Sequence, residues 1–232
     1  MDNTSIFIEK YKALEEAVRS TYNLRDSDSI SHYLKNRNEF RHYADEISYC
    51  QQVRNFIVHE RKLSDSFAVI PSDEMLKFID MLIAKIKNRR RCIDACIKLK
   101  NVYHCSLGDK VKPAIKAMRE GFFTHIPILQ NGRVVGVFDE NSLFNYVADH
   151  ETVDVDSNLR FSDIADYLSL TDRDNEAFIF IKSSMYIDEV EDIFQRNFNQ
   201  RERIGVAFIT NNGRPDEQLQ GLITPWDILA NN

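Results

Sequence analysis

Arg133-Val-Val-Gly-Val-Phe-Asp-Glu-Asn-Ser-Leu-Phe144 and Gln220-Gly-Leu-Ile-Thr-Pro-Trp-Asp-Ile-Leu229 follow one pattern, a short β-rich run passing directly into a helical stretch. Working outward from the first copy, His125-Ile-Pro-Ile-Leu129 is a second β-rich run. Asn131-Gly132 stands between the two runs, where a two-residue hairpin demands positive φ. Residues 106–119 read as a capped helix with Val111, Ala114, Ile115 and Met118 on one face. Around the second copy the same order returns: Phe178-Ile-Phe-Ile181 as a strand, residues 184–198 as a helix, and Val206-Ala-Phe-Ile209 as a strand. Asn212-Gly213 then makes a turn, and residues 225–230 close as a helix. Strand, helix, hairpin and helix occur twice, so residues 101–232 read as an internally repeated α/β region.

The texture before residue 100 differs. Phe7, Tyr11, Leu14, Val18 and Tyr22 recur at helical spacing and predict an amphipathic helix over residues 4–23. Ile30, Tyr33 and Leu34 predict a short second helix. Phe40, Ala44, Ile47, Cys50 and Ile57 predict a third that runs to His59. Pro71-Ser72 reads as a break and an N-cap, after which Met75, Ile79, Leu82, Ile83, Ile86, Ile93 and Ile97 predict one long helix. The fold class is therefore α+β with two domains, an all-α helical bundle over 1–100 and an α/β pair over 101–232, whose halves divide near residue 160.

The two quoted stretches resemble the last strand and last helix of a CBS module, and Met118-Arg-Glu-Gly-Phe-Phe-Thr-His-Ile-Pro-Ile-Leu129 resembles the helix end and central strand of the first one. The resemblance implies a tandem pair, 101–160 and 161–232, with clefts that take AMP, ADP, ATP or S-adenosylmethionine as a regulatory ligand and no metal. The family's contact pattern is carried by Gly221, Thr224 and Asp227. Its chemistry is readable directly: a hydroxyl at a helix start suits a phosphate, and a carboxylate three residues on can accept from two ribose hydroxyls. The same residues also make a capping box, so a purely structural role stays open. The first module carries Asp139 and Ser142 in place of the hydroxyl and the carboxylate, and the added negative charge would repel a phosphate. One nucleotide per chain is expected. His125 and Pro127 read as structural members of the central strand.

Arg54-Asn-Phe-Ile-Val-His59 resembles the signature of HEPN domains, helical bundles in which an Arg, a polar residue and a His form a metal-independent ribonuclease site. The Tyr that some subfamilies place after the His is missing, and Glu60-Arg61 stands there. Asn55 and His59 lie about 40° apart around a helix axis, whereas Arg54 lies about 140° from His59. On a straight helix Arg54 therefore points elsewhere, and a homodimer crossing through this helix would bring Arg54 of one chain to His59 of the other, as the resemblance also implies. There His59 would act as general base on a ribose 2′-hydroxyl, Arg54 would hold the phosphate, and Asn55 would orient either. Two readings stay open: a nucleotide-gated ribonuclease acting on RNA, and a non-catalytic sensory or adaptor protein that uses the helical domain for dimerisation or partner binding.

Composition narrows the classes. With 43% hydrophobic and 28% charged residues the chain has globular composition. Met1 to Lys10 lack the pattern of a signal peptide and no apolar run reaches the length of a membrane span, so a cytoplasmic protein is expected. Four cysteines are too few and scattered for a disulfide framework. Cys92 and Cys96, one helical turn apart, read as small buried residues or as half of a metal site. The net charge of −6 is uneven: residues 1–100 carry 18 Lys and Arg against 15 Asp and Glu, and residues 101–232 carry 12 against 21. The basic run Lys85, Lys87, Arg89, Arg90, Arg91 makes the front half the candidate for RNA contact. No Gly-rich phosphate loop or nucleophile elbow is present.

Overall fold

The structure, a computed structural model, describes residues 2–59, 69–150, 158–171, 173, 176–199 and 203–230. The chain divides into two compact units, Met1–Arg89 and Arg90–Asn232.

The first unit is helical. Asp2 caps α1 (Asn3–Tyr22) by accepting from the Ser5 N–H at 2.7 Å, and Asn23 ends it in the left-handed conformation. Ser29 caps α2 (Ile30–Lys35), a 3-10 turn (Asn38–Tyr43) leads into α3 (Ala44–His59), and Ser72 caps α4 (Asp73–Lys87). The amphipathic faces read from the sequence meet in one core, where Phe7, Val18, Phe40 and Ile79 are fully buried. Asn3 fastens the start of α1 to that of α4, donating to Asp73 Oδ1 at 2.9 Å and to the Pro71 carbonyl at 3.1 Å, and Lys10 pairs with Asp80 farther along the same two helices.

The long fourth helix expected through Ile97 is corrected. α4 stops at Lys87, and Arg91 leads into a four-residue helix, α5 (Cys92–Ala95), followed by strand β1 (Ile97–Lys98). Tertiary pairing outweighs helical periodicity here: the Cys92 N–H donates to the Met185 carbonyl at 2.8 Å, the Ile187 N–H donates to the Arg90 carbonyl at 2.9 Å, and β1 joins a sheet. Residues 90–100 thus pack with the second unit.

In that unit α6 (Val111–Gly121) precedes the antiparallel pair β2 (Ile126–Gln130) and β3 (Arg133–Phe138), followed by α7 (Glu140–Ala148). α6 begins later than residue 106 because Ser106 and Asp109 lock a separate turn, with Asp109 Oδ2 accepting from the Ser106 N–H at 2.7 Å and its hydroxyl at 2.9 Å. A 3-10 segment (Phe161–Tyr167) leads on to β4 (Ala177–Lys182), α8 (Ile187–Asn199), β5 (Ile204–Thr210), β6 (Gly221–Ile223) and α9 (Pro225–Ala230). These three strands and β1 form one four-stranded sheet ordered β1-β6-β5-β4, with β4 and β5 parallel and the other pairs antiparallel. In the first half Cys105 bridges in parallel to Ile128, echoing the β4–β5 pairing, and Asn131 and Gly132 turn the hairpin with φ of 52° and 77°. Each half has its own core, and a further cluster joins Val134 and Val137 of β3 to Phe178, Val206, Phe208 and Leu222, so the two sheets share buried apolar surface. No described helix is long and apolar enough to cross a membrane.

Candidate functional site

Both repeated stretches end in the same device, a strand running into a helix start, with the roles of two side chains exchanged. At α9, Asp227 Oδ2 accepts from the Thr224 N–H at 2.7 Å and from its hydroxyl at 2.8 Å. At α7, Asp139 is the cap: its Oδ1 accepts from the Ser142 N–H at 2.7 Å and hydroxyl at 2.8 Å. A carboxylate and a hydroxyl three residues apart thus tie each helix start in either order. Thr224 and Asp227 are half-buried, and Trp226 between them is 78% exposed.

At the α7 start the Asp139 carboxylate is covered by a cation. The side chains of Asp139 and Arg173 are 4% and 9% exposed, and the guanidinium lies 2.5 Å from the carboxylate. Arg173 also donates to the carbonyls of Val137 (2.6 Å) and Ser169 (2.7 Å), and it sits over the Phe178 ring. Beside it His125 Nε2 meets Glu176 Oε2 at 2.7 Å while Nδ1 meets the Thr124 hydroxyl at 2.8 Å. His125, Asp139 and Glu176 bring ligand-type atoms within 4.8 Å of one another, but the Arg173 cation already faces Asp139 and supplies the positive charge there. His125 accordingly joins the halves through Glu176. Sequence reading missed Arg173 and Glu176, which lie outside any periodic element and carry no motif.

Gly221 serves packing. A Cβ there would come within 2.6 Å of the Ile97 carbonyl oxygen and 2.7 Å of Cys96 Sγ, and one at its counterpart Gly136 would come within 2.7 Å of the Leu168 carbonyl oxygen. Each glycine therefore admits a neighbouring backbone to its strand. Burial pushes the Cys96 thiol up, with the Asp227 carboxylate a lesser contributor, so Cys96 lies in the neighbourhood of the α9 start. The thiols of Cys92 and Cys96 donate to the Lys182 and Ile93 carbonyls at 3.3 and 3.2 Å, as small residues in a packed site do.

In the helical unit the expectation that Arg54 points away from His59 is corrected. Arg54 Nη1 lies 3.4 Å from His59 Nε2 and 3.3 Å from Asn55 Oδ1 within one chain. The long arginine side chain bridges the angle that separates the Cα positions. Asn55 and His59 are exposed and Arg54 is half-buried on the last turns of α3. Burial pushes the Tyr11 hydroxyl up to about 12, an effect that Glu15 reinforces and the Arg54 charge opposes, so α1 contributes Tyr11 near the motif. Glu60 and Arg61, which replace the subfamily Tyr, lie outside the described residues. The basic run after residue 84 is partly engaged: Lys85 donates to the Glu39 carbonyl at 3.2 Å and Arg89 sits over the Tyr22 ring.

Residues 96–149 match the family model of the CBS domain, covering β1 to α7. Similar solved structures include a CBS domain-containing protein from Bacillus anthracis (13% identity, TM-score 0.44, covering 63% of this chain and 95% of that one). A hemolysin-like CBS-domain protein of Oenococcus oeni shows 13% identity and a TM-score of 0.41 over 62% of this chain and 90% of that one. CBSX2 in complex with AMP shows 11% identity and a TM-score of 0.43 over 61% of this chain and 95% of that one. A search of curated proteins finds no match.

Proposed function

We propose that residues 101–232 are a pair of CBS modules, 101–160 and 161–232, that sense an adenine nucleotide at the start of α9 and regulate the helical domain. The observation that carries this reading is the contrast between the two helix starts. The Thr224–Asp227 pair is half-buried beside an exposed Trp226, whereas the Asp139 carboxylate is buried under Arg173. One ribose-accepting carboxylate per chain is the consequence, because Arg173 already engages Asp139 although a cavity reaches the α7 start. At the α9 start Asp227 would accept from the ribose hydroxyls and the Thr224 hydroxyl would reach a phosphate oxygen, while Gly221 keeps the strand close to β1. AMP is the first ligand to try, with ADP, ATP and S-adenosylmethionine beside it. In a thermal-shift series, a ligand at 100 times its dissociation constant should stabilise by about 2.7 kcal/mol. The shift should vanish in Asp227→Ala; a full shift in that variant contradicts the reading.

A second reading, cleavage of RNA by a HEPN-like helical domain, is favoured by the position of Arg54 Nη1, 3.3 Å from Asn55 Oδ1 and 3.4 Å from His59 Nε2 in a single chain. His59 would take the 2′-hydroxyl proton as the 2′-oxygen attacks phosphorus and the P–O5′ bond breaks, the leaving 5′-oxygen would be protonated by water, and Arg54 would hold the phosphate as its charge grows, giving a cyclic phosphate end and a free 5′-hydroxyl without a metal. Homodimer formation through α3 is part of this reading, since the helix exposes Tyr49 (59%) and Phe56 (48%) on the side away from its core. Incubation of the protein with mixed RNA in EDTA tests it. Cleavage by the wild type and none by His59→Ala supports catalysis, and equal results leave the helical domain as a dimerisation or adaptor element.

A further inference from the structure

Helix α6 carries a feature that neither reading uses. Four of the 12 Lys and Arg residues of the acidic half 101–232 fall within ten positions, at Lys110, Lys112, Lys116 and Arg119, and all four are exposed. Lys112, Lys116 and Arg119 are spaced as i, i+4 and i+7, so they form one stripe about 10 Å long. Lys116 meets Glu120 at 3.7 Å; Lys110, Lys112 and Arg119 have no ion-pair partner among the described residues. Like charges at this spacing repel, and the stripe keeps that repulsion. The stripe lines a cavity of about 590 Å³ with Pro113 and Ile115. A second cavity of about 550 Å³ shares Ile115 and Arg119 with it, is walled by Phe122, Phe123 and Leu143, and reaches Asp139 and Glu140 at the start of α7, whose negative charge keeps the phosphate path on the α6 side.

Phe122 is the second, independent observation. It ends α6 in the left-handed conformation, φ 54° and ψ 37°, a position where helices ordinarily place Gly or Asn. Its ring is 95% exposed, so no internal packing compensates for the unfavourable backbone. Nearby, the half-exposed Tyr103 stacks on Phe123 with ring centroids 5.6 Å apart, which widens the aromatic surface.

We infer that this groove binds single-stranded nucleic acid, with backbone phosphates along Lys112, Lys116 and Arg119 and a base stacked on Phe122. A row of cations that tracks a phosphodiester chain beside an open aromatic face is the chemistry single strands need. A mononucleotide would satisfy only part of so long a stripe, and a duplex would offer Phe122 no free base face. The inference rests on neither the nucleotide reading nor the cleavage reading, and it concerns residues other than those of either reading.

The test is fluorescence anisotropy of labelled oligouridylate and oligothymidylate, about 12 nucleotides long, with the full-length protein carrying His59→Ala in EDTA across a salt series. Phe122→Ala should weaken binding about fivefold or more while leaving the salt slope unchanged. Lys112→Gln with Lys116→Gln should reduce the slope of log K against log salt by about 1.4. Comparison of the two oligomers identifies whether RNA or DNA is preferred, and binding of either that responds to both sets of substitutions supports the site. All three positions are exposed, and circular dichroism checks that each variant is folded. Unchanged affinity in the folded variants overturns the inference. So does full competition by ATP, which marks a mononucleotide site, or a Phe122→Ala effect on self-association alone, which marks a protein contact.

Discussion

At the scale of single residues, the buried pair of Asp139 and Arg173 decides which helix start can offer a carboxylate to a ribose. Removing the cation leaves a buried carboxylate without its partner, so Arg173→Met should destabilise the second unit by about 3–5 kcal/mol in urea unfolding. Adding Asp139→Asn should recover part of that loss, because it removes the orphaned charge. If Arg173→Met unfolds at the wild-type midpoint, the pair is not the plug described. Gly221→Ala should cost about 1–3 kcal/mol, because its new methyl must displace the Ile97 carbonyl and Cys96 Sγ, 2.6 and 2.7 Å from the ideal Cβ position. The Thr224-x-x-Asp227 spacing was legible in the sequence because a hydroxyl and a carboxylate three apart mean the same thing in any helix start. Arg173 and Glu176 were not legible, since their partners Asp139 and His125 are 34 and 51 positions away and only the packing of the two sheets brings them together. Arg54 was misread for a related reason: Cα geometry sets where a side chain starts, and a guanidinium on a long stem reaches farther than that angle implies.

At the scale of elements, the repeat of strand, helix, hairpin and helix was readable because side-chain period and turn chemistry act locally. Asn131-Gly132 fixed its hairpin through two positive φ angles, and β3 and α7 fall on the expected residues. The errors lie where distant contacts decide. Ile93 and Ile97 keep the period of α4, yet the chain leaves the helix at Asn88 because β6 offers β1 a pairing partner. The turn after β5 offers a check on local electrostatics. Glu217 accepts from the Asn212 N–H at 2.7 Å and its amide at 2.6 Å, and these bonds hold its carboxyl down at about 2. A depressed carboxyl contributes stability above its ordinary range near 4.5, and that contribution is lost as pH falls toward 2. An NMR titration should find the Glu217 midpoint near 2, moving up in Asn212→Ala; an unmoved midpoint would mean the turn is held otherwise. Ser72→Ala should cost α4 about 0.5–2 kcal/mol through loss of its cap, as read from thermal unfolding.

At the scale of the whole molecule, charge does not divide as the two halves of the sequence suggest: residues 1–89, the helical unit with Arg54 and His59, carry 14 Lys and Arg against 14 Asp and Glu, and the basic excess of residues 1–100 comes from Arg90, Arg91, Lys98 and Lys100, which belong to the second unit. Regulation of one unit by the other requires a ligand whose affinity differs between two arrangements of the protein. Its first requirement is a single competent nucleotide position in the second unit. Isothermal titration calorimetry of AMP and of ATP into the full-length protein measures that directly. One site per chain, abolished in Asp227→Ala and retained in Ser142→Ala, is the expected result. Two equivalent sites per chain, or undiminished binding in Asp227→Ala, would contradict it.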